Sequence, residues 1–190
     1  KEKKVLEIGF GANRGKDLLE CLTRGAHVWG VDINKSYVED FQKKNPEISV
    51  AVMNAGEDNF PFPVSYDLIY HRDVIYYLTD NQIKFHFSKS YEKLSDGGYL
   101  VFQFIEKDLM MDEGNENQES RQLNFDIFKT ANVDKMLRGE VNPLCTLNID
   151  DLISTALNVG FELIATKTHI ESYTPNESVF RVDRYLILKK

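Results

Sequence analysis

The sequence predicts an α/β protein with a doubly wound, mostly parallel sheet. Three observations lead to this prediction. Short apolar runs alternate with helical patterns along the chain. The first apolar run ends in a glycine-rich turn, 9–15, that passes directly into a helix. The second run ends at Asp32, about 20 residues further on, at the position where an acidic residue of nucleotide-binding α/β folds hydrogen-bonds a ribose. Together these features predict a nucleoside pocket at the carboxyl edge of the sheet.

The strands follow from short apolar and β-branched runs bounded by turn residues. They are expected at 4–8, 27–31, 48–53, 66–70, 99–104, 161–165 and 185–188. Besides a helical stretch at 125–138, four helices lie between them: Gly25 ends the first, and Ser36, Thr79 and Asn148 are predicted to cap the others. The link 166–184 shows no helical pattern, so we expect an antiparallel return to the last strand.

Composition narrows the class of protein. A chain of 190 residues is most simply one domain. Its net charge of −7 argues against a nucleic-acid partner, because phosphate binding needs clustered Lys and Arg. The two cysteines, Cys21 and Cys145, have no metal-site spacing, so no metal is expected. The sequence contains no membrane-spanning run or signal peptide, which predicts a cytoplasmic protein without a membrane partner.

The segment 106–147 interrupts the strand–helix alternation. Its first part, 106–124, carries six acidic residues against two basic ones. We interpret this as a solvated loop or lid, followed by a helical stretch at 125–138. The single domain 1–190 is therefore predicted to carry a lid or substrate-binding insertion at about 106–147.

The glycine turn itself favours one kind of cofactor. Gly9 and Gly11 fit a dinucleotide fingerprint, but the sixth position is Arg14 rather than glycine. Glu7, at the end of the first strand, would repel a pyrophosphate. A carboxylate there suits a positively charged cofactor such as S-adenosylmethionine, with its ammonium and sulfonium groups.

Five motifs in order resemble those of the class I S-adenosylmethionine-dependent methyltransferases, over nearly the whole chain. They are the glycine turn 7–11, the ribose acid in 30–33, the adenine loop 54–62, the fourth-strand segment 66–78 and the Gly-Gly turn 97–98. The resemblance implies a Rossmann-like sheet of seven strands with the last one antiparallel. Two departures stand out: Asn13 replaces a common third glycine, and Gly56 stands where the adenine loop often has Asp.

The predicted cofactor contacts follow from the glycine turn, the ribose acid and the resemblance. They are Glu7, Gly9, Gly11, Asn13, Asp32, Ile33, Gly56, Glu57, Asp58 and His71. Asp32 is expected to accept hydrogen bonds from the ribose hydroxyls, and Glu57 or Asp58 is expected to accept one from the adenine amino group in place of the missing Asp.

The resemblance also points to candidate catalytic residues, namely His71, Tyr76 and Tyr77. His71 is either a base or a backbone contact to the methionine end of the cofactor. Tyr76 and Tyr77 either face the acceptor or form a packed aromatic pair. His86 is expected at the surface.

The sequence therefore predicts a methyltransferase that transfers a methyl group from S-adenosylmethionine to an oxygen or nitrogen nucleophile of a small molecule. The alternatives are an NAD-dependent oxidoreductase or epimerase, a non-catalytic cofactor-binding domain and a nucleic-acid methyltransferase. The last lacks an Asn/Asp-Pro-Pro-Tyr/Phe motif, because 71–74 reads His-Arg-Asp-Val. The oligomeric state stays open.

Overall fold

The computed structural model describes residues 2–11, 13–105, 147–172 and 180–190. The strands are β1 Lys4–Ile8, β2 His27–Asp32, β3 Ser49–Val52, β4 Tyr66–His71, β5 Leu94–Ile105, β6 Glu162–Ser172 and β7 Phe180–Lys189. The helices are α1 Lys16–Thr23, α2 Lys35–Lys44, α3 Asp80–Lys93 and α4 Ile149–Val159, with a single 3-10 turn at Ile75–Tyr77. The insertion predicted at 106–147 lies, apart from its last residue, outside the described residues and stays a prediction.

All seven strands form one sheet in the order β3-β2-β1-β4-β5-β7-β6. Strands β1 to β5 pair in parallel, whereas β7 runs antiparallel to both β5 and β6. The prediction of a mostly parallel sheet with an antiparallel last strand is confirmed. The strand order reverses between β1 and β4, and in open α/β sheets ligands bind outside the carboxyl ends of the strands at such a point.

Both faces of the sheet are covered. Side chains alternate along β1, so Leu6 and Ile8 enter the larger core together with the apolar side chains of α3 and α4. Val5 belongs to a second core, where it lies with Leu18 of α1 and Phe41 of α2. By the same alternation, Glu7 points to the face covered by α1 and α2. Sheet burial on both sides therefore fixes which strand-end side chains sit under which helix.

The cap of α2 differs from the sequence prediction. Asn34, not Ser36, is the N-cap, and its side-chain oxygen accepts from the backbone N–H groups of Ser36 and Tyr37. The Ser36 hydroxyl also donates to that oxygen, so it supports the cap rather than forming it. The predicted capping box of Thr79 and Gln82 on α3 is confirmed.

Candidate active site at the carboxyl edge of the sheet

The glycine turn packs tightly against the loop that follows β4. Gly9 has φ 78°, in the left-handed region, and its N–H donates to the Val31 carbonyl at 2.7 Å. A Cβ at Gly9 would lie 2.5 Å from Cγ2 of Val74. Gly9 is therefore needed both for its backbone angle and for the close approach of two loops at the strand ends.

Asn13 occupies the position of the missing third glycine and acts through its side chain. The left-handed angle falls on its neighbour Arg14, with φ 59°. The Asn13 amide oxygen accepts from the Gly15 N–H at 3.0 Å, and its NH₂ donates to Asp17 at 2.8 Å and to Glu7 at 3.4 Å. The side chain thus joins β1, the turn and the first turn of α1, and keeps the turn in shape.

Asp32 is held at the end of β2 by two backbone amides. Its Oδ2 accepts from the Gly11 N–H and its Oδ1 from the Asn34 N–H, each at 2.8 Å. Burial raises the pKa of this carboxyl, and the hydrogen bonds from Asn34 and Gly11 act against that shift. Each carboxylate oxygen has a further lone pair, so Asp32 can still accept from two ribose hydroxyls. The residues present therefore fit a nucleoside.

Tyr37 defines the wall beside Asp32. A Cβ at Gly11 would lie 2.2 Å from Cδ2 of Tyr37 and 2.8 Å from Oδ2 of Asp32. Gly11 is therefore required for space. Ile33, the next residue along, is half-buried.

Glu7 is a buried carboxyl with unsatisfied hydrogen-bonding capacity. Its side chain is 2% exposed, and Oε2 has no partner among the residues that the structure describes. Burial raises the pKa of Glu7 to about 7, and the Asp17 carboxylate adds to the rise. Tyr70, Arg72 and Asn13 each lower it. A cation placed nearby would favour the ionised form, which fits the positively charged end of the predicted cofactor.

The predicted adenine loop follows β3 and is shaped by its own side chains. Asn54 accepts from the Gly56 N–H at 3.0 Å, and Asp58 accepts from the Asn54 N–H at 2.7 Å. Glu57 accepts from Gln82 of α3 at 3.3 Å. Both acids are exposed, and one oxygen of each is engaged within the fold. Whether either contacts adenine stays a prediction.

His71 and His86 form a buried pair behind the strand ends. Their Nε2 atoms are 3.2 Å apart, and the side chains are 1% and 0% exposed. The His71 ring also stacks on Phe102, with centroids 5.2 Å apart. Burial lowers the pKa of both rings, that of His86 to about 4, so the pair is neutral near pH 7. The expectation that His86 lies at the surface is wrong.

The candidate tyrosines lie in the 3-10 turn after β4. Tyr77 is half-buried and packs against the larger core, in keeping with the packing alternative for this residue. Only the backbone of Tyr76 is described, within the same turn. The catalytic roles predicted for Tyr76, Tyr77 and His71 stay predictions.

Two functional candidates escaped the sequence reasoning. His86 follows Ile83 by three residues and precedes Phe87 and Ser90, so the spacing 83-86-87-90 would have placed it on the buried face of α3. Tyr70 pairs with Glu7 across β1 and β4. The pairing of Tyr70 with Glu7 follows only once β1 and β4 are known to be adjacent strands.

The fold is that of a Rossmann-like α/β protein with the architecture of class I methyltransferases, and the residues at its carboxyl edge fit a nucleoside. Among the described residues there is no cluster of three His, Cys, Asp or Glu side chains that could hold a metal ion. Nor does any described helix combine the length and apolarity needed to cross a membrane.

Comparison with known protein families gives a match to one of them. Residues 5–98 match the model of a family described as a methyltransferase domain. Together with the fold, this match identifies the chain as an enzyme of the S-adenosylmethionine-dependent methyltransferase type, as the sequence predicted. A search of curated proteins gives no significant match.

Solved structures with the same fold are distant in sequence. A TehB-like methyltransferase from Corynebacterium glutamicum is 18% identical, with a TM-score of 0.66 over 100% of this chain and 82% of that one. A methyltransferase from Methanosarcina mazei is 17% identical, with a TM-score of 0.69 over 100% and 92%. Magnesium protoporphyrin IX methyltransferase from Synechocystis, solved with bound S-adenosylhomocysteine, is 16% identical, with a TM-score of 0.65 over 100% and 74%.

Proposed function

We propose that this methyltransferase transfers the methyl group of S-adenosylmethionine to an oxygen or nitrogen nucleophile of a small molecule. The observation that carries the proposal is the position of two buried carboxyls at adjacent strand ends, Asp32 on β2 and Glu7 on β1. One carboxyl has lone pairs free for ribose hydroxyls, and the other favours a positive charge. An uncharged nucleoside would interact with Asp32 but would gain nothing from the charge of Glu7.

The roles of the chain's own residues follow from their positions. Asp32 would orient the ribose, and Gly9 and Gly11 would let the turn approach the cofactor. His71, Tyr76 and Tyr77, at and after the end of β4, would border the methyl end. The bound cofactor supplies a methyl group on positively charged sulfur, so the protein mainly has to align the acceptor and exclude water. Burial keeps the His71 ring neutral and lowers its pKa, which makes it a weak proton acceptor and favours the backbone-contact alternative.

Charge supports a small acceptor over a nucleic acid. The chain carries 30 acidic and 23 basic residues, so a nucleic acid would meet a net repulsive surface. A distant structural neighbour, the Synechocystis enzyme, is named as a methyltransferase of a small molecule, magnesium protoporphyrin IX. A cytoplasmic location remains a prediction from the sequence.

A methyl-transfer assay tests the proposal. The protein would be incubated with S-adenosylmethionine and panels of phenols and other hydroxyl compounds, carboxylates, amines and thiols, with separate DNA and RNA panels, and S-adenosylhomocysteine would be measured. We expect turnover with a hydroxyl, carboxylate or amine panel, and much less with Asp32→Ala. Turnover only with nucleic acid or thiols, or with none of the panels, would contradict the proposal.

A further inference from the structure

Glu7 and Tyr70 place two polar groups side by side inside the protein. The residues are register partners on the parallel strands β1 and β4, so their side chains leave the sheet on the same face. Glu7 Oε2 and the Tyr70 hydroxyl are both buried, and neither makes a hydrogen bond of good geometry to any residue that the structure describes. Buried polar atoms without partners are uncommon and call for an explanation.

Among the residues that the structure describes, no unpaired positive charge compensates Glu7. The cation that acts on Glu7, Arg72, pairs with Asp17 of α1 at 2.7 Å, so these two charges largely offset one another. Asn13 offers only a long hydrogen bond of 3.4 Å. Cys21 of α1 also faces the carboxyl: burial raises the pKa of its thiol, and the Glu7 charge raises it further. The surroundings as a whole therefore disfavour a negative charge on Glu7 until a cation arrives.

We propose that Glu7 holds a proton in the cofactor-free protein and releases it when the positively charged end of the cofactor binds, with Tyr70 as the positioning residue that sets how readily this happens. The inference rests on the proposed function. The step moves one proton from the Glu7 carboxyl to solvent, and no other bond changes. Binding of the cofactor is therefore linked to pH near neutrality.

The direction of the linkage follows from the Glu7 pKa of about 7 in the free protein. Below that pH the carboxyl must lose its proton before it can attract the cation, so affinity falls by up to about tenfold per pH unit. Well above it the carboxyl is already ionised and binding releases no proton from Glu7. The Tyr70 hydroxyl lowers the pKa of Glu7, so its removal would move this dependence to higher pH.

Calorimetric titration in two buffers of different ionisation enthalpy measures the proton released on binding. S-adenosylhomocysteine carries the ammonium group, and 5′-methylthioadenosine, which lacks the amino-acid end, is the control ligand. At about pH 7 we expect wild type to release roughly half a proton more than Glu7→Gln with S-adenosylhomocysteine, and no more with the control. The ligand's own ammonium group is almost fully protonated at about pH 7 with either protein, so it contributes little to this difference.

Tyr70→Phe keeps the ring and removes the hydroxyl. We expect this variant to release more protons than wild type near pH 7 and to lose affinity at a higher pH, whereas Tyr99→Phe, at an exposed tyrosine, should behave as wild type. Equal proton release by wild type and Glu7→Gln would overturn the inference while leaving the proposed function intact. If the pH dependence of affinity in Tyr70→Phe equals that of wild type, Tyr70 is not a positioning residue for Glu7. If neither S-adenosylhomocysteine nor 5′-methylthioadenosine binds, both this inference and the proposed function are overturned.

Discussion

The Asp32 carboxylate accepts a hydrogen bond of 2.8 Å from the backbone N–H of Gly11 and so ties the end of β2 to the glycine turn after β1. The two residues are 21 positions apart in the chain. This bond fixes the turn relative to the acid before any ligand is present. Such preorganisation reduces the ordering cost of binding.

Gly11→Ala should disrupt this relationship through lack of space. The new Cβ would lie 2.2 Å from the Tyr37 ring, so we expect a loss of about 1–3 kcal/mol in the free energy of unfolding. Urea unfolding measures this loss, and the double variant Gly11→Ala/Tyr37→Ala should recover part of it. Backbone strain does not contribute to this loss, because Gly11 is not among the glycines with a left-handed φ. Wild-type stability of Gly11→Ala would contradict the packing.

Glu7→Gln should stabilise the protein at alkaline pH. The pKa of Glu7 is raised from 4.5 to about 7 in the folded protein. The contribution of protonated Glu7 to the free energy of unfolding is therefore complete below pH 4.5 and is lost as pH rises through about 7. Above that, ionised Glu7 costs on the order of 3 kcal/mol, which glutamine avoids. Unfolding measured from about pH 5 to about pH 9 should show the variant gaining on wild type as pH rises.

The control for this experiment is Glu47→Gln, at an exposed carboxylate. This substitution should change the free energy of unfolding by no more than about 0.5 kcal/mol. A difference between Glu7→Gln and wild type that does not vary with pH would show that Glu7 is ionised throughout.

His86→Gln should reduce the sensitivity of the fold to acid. The pKa of His86 is lowered from 6.5 to about 4, so wild type loses stability as pH falls through that interval, because only the unfolded chain binds the proton readily. The variant should lose less, by on the order of 1–3 kcal/mol. Unfolding at about pH 7 and about pH 4.5 measures the change, and His169→Gln, at an exposed histidine, is the control. Equal acid sensitivity of His86→Gln and wild type would contradict the buried pair.

The sequence predicted the fold well because every strand contains a short apolar or β-branched run and most connections carry Gly, Pro or Asn. Strand lengths were less predictable: β5 begins at Leu94, directly after α3, and β6 continues to Ser172. These extensions come from pairing with β4 and β7, which local pattern does not record. Asn34 rather than Ser36 is the N-cap of α2, and its side-chain oxygen accepts from two backbone N–H groups.

The candidate site was predictable where a residue type and a turn coincide, as at Gly9 and Asp32. It was not predictable where function depends on neighbours across the sheet. Tyr70 matters through its register with Glu7, and Asn13 through three side-chain contacts rather than through its backbone angle. Such relationships exist only once the strands are assembled.

We expect this carboxyl edge to bind S-adenosylmethionine through Asp32, which calorimetric titration with S-adenosylhomocysteine can measure. We predict one site per chain on wild type, at least about tenfold weaker binding by Asp32→Ala through loss of charge-assisted hydrogen bonds, and unchanged binding by Asp40→Ala, at an exposed acid of α2. Absence of binding by intact wild-type protein would contradict a cofactor site at this edge. Equal affinity of wild type and Asp32→Ala would remove Asp32 from the pocket.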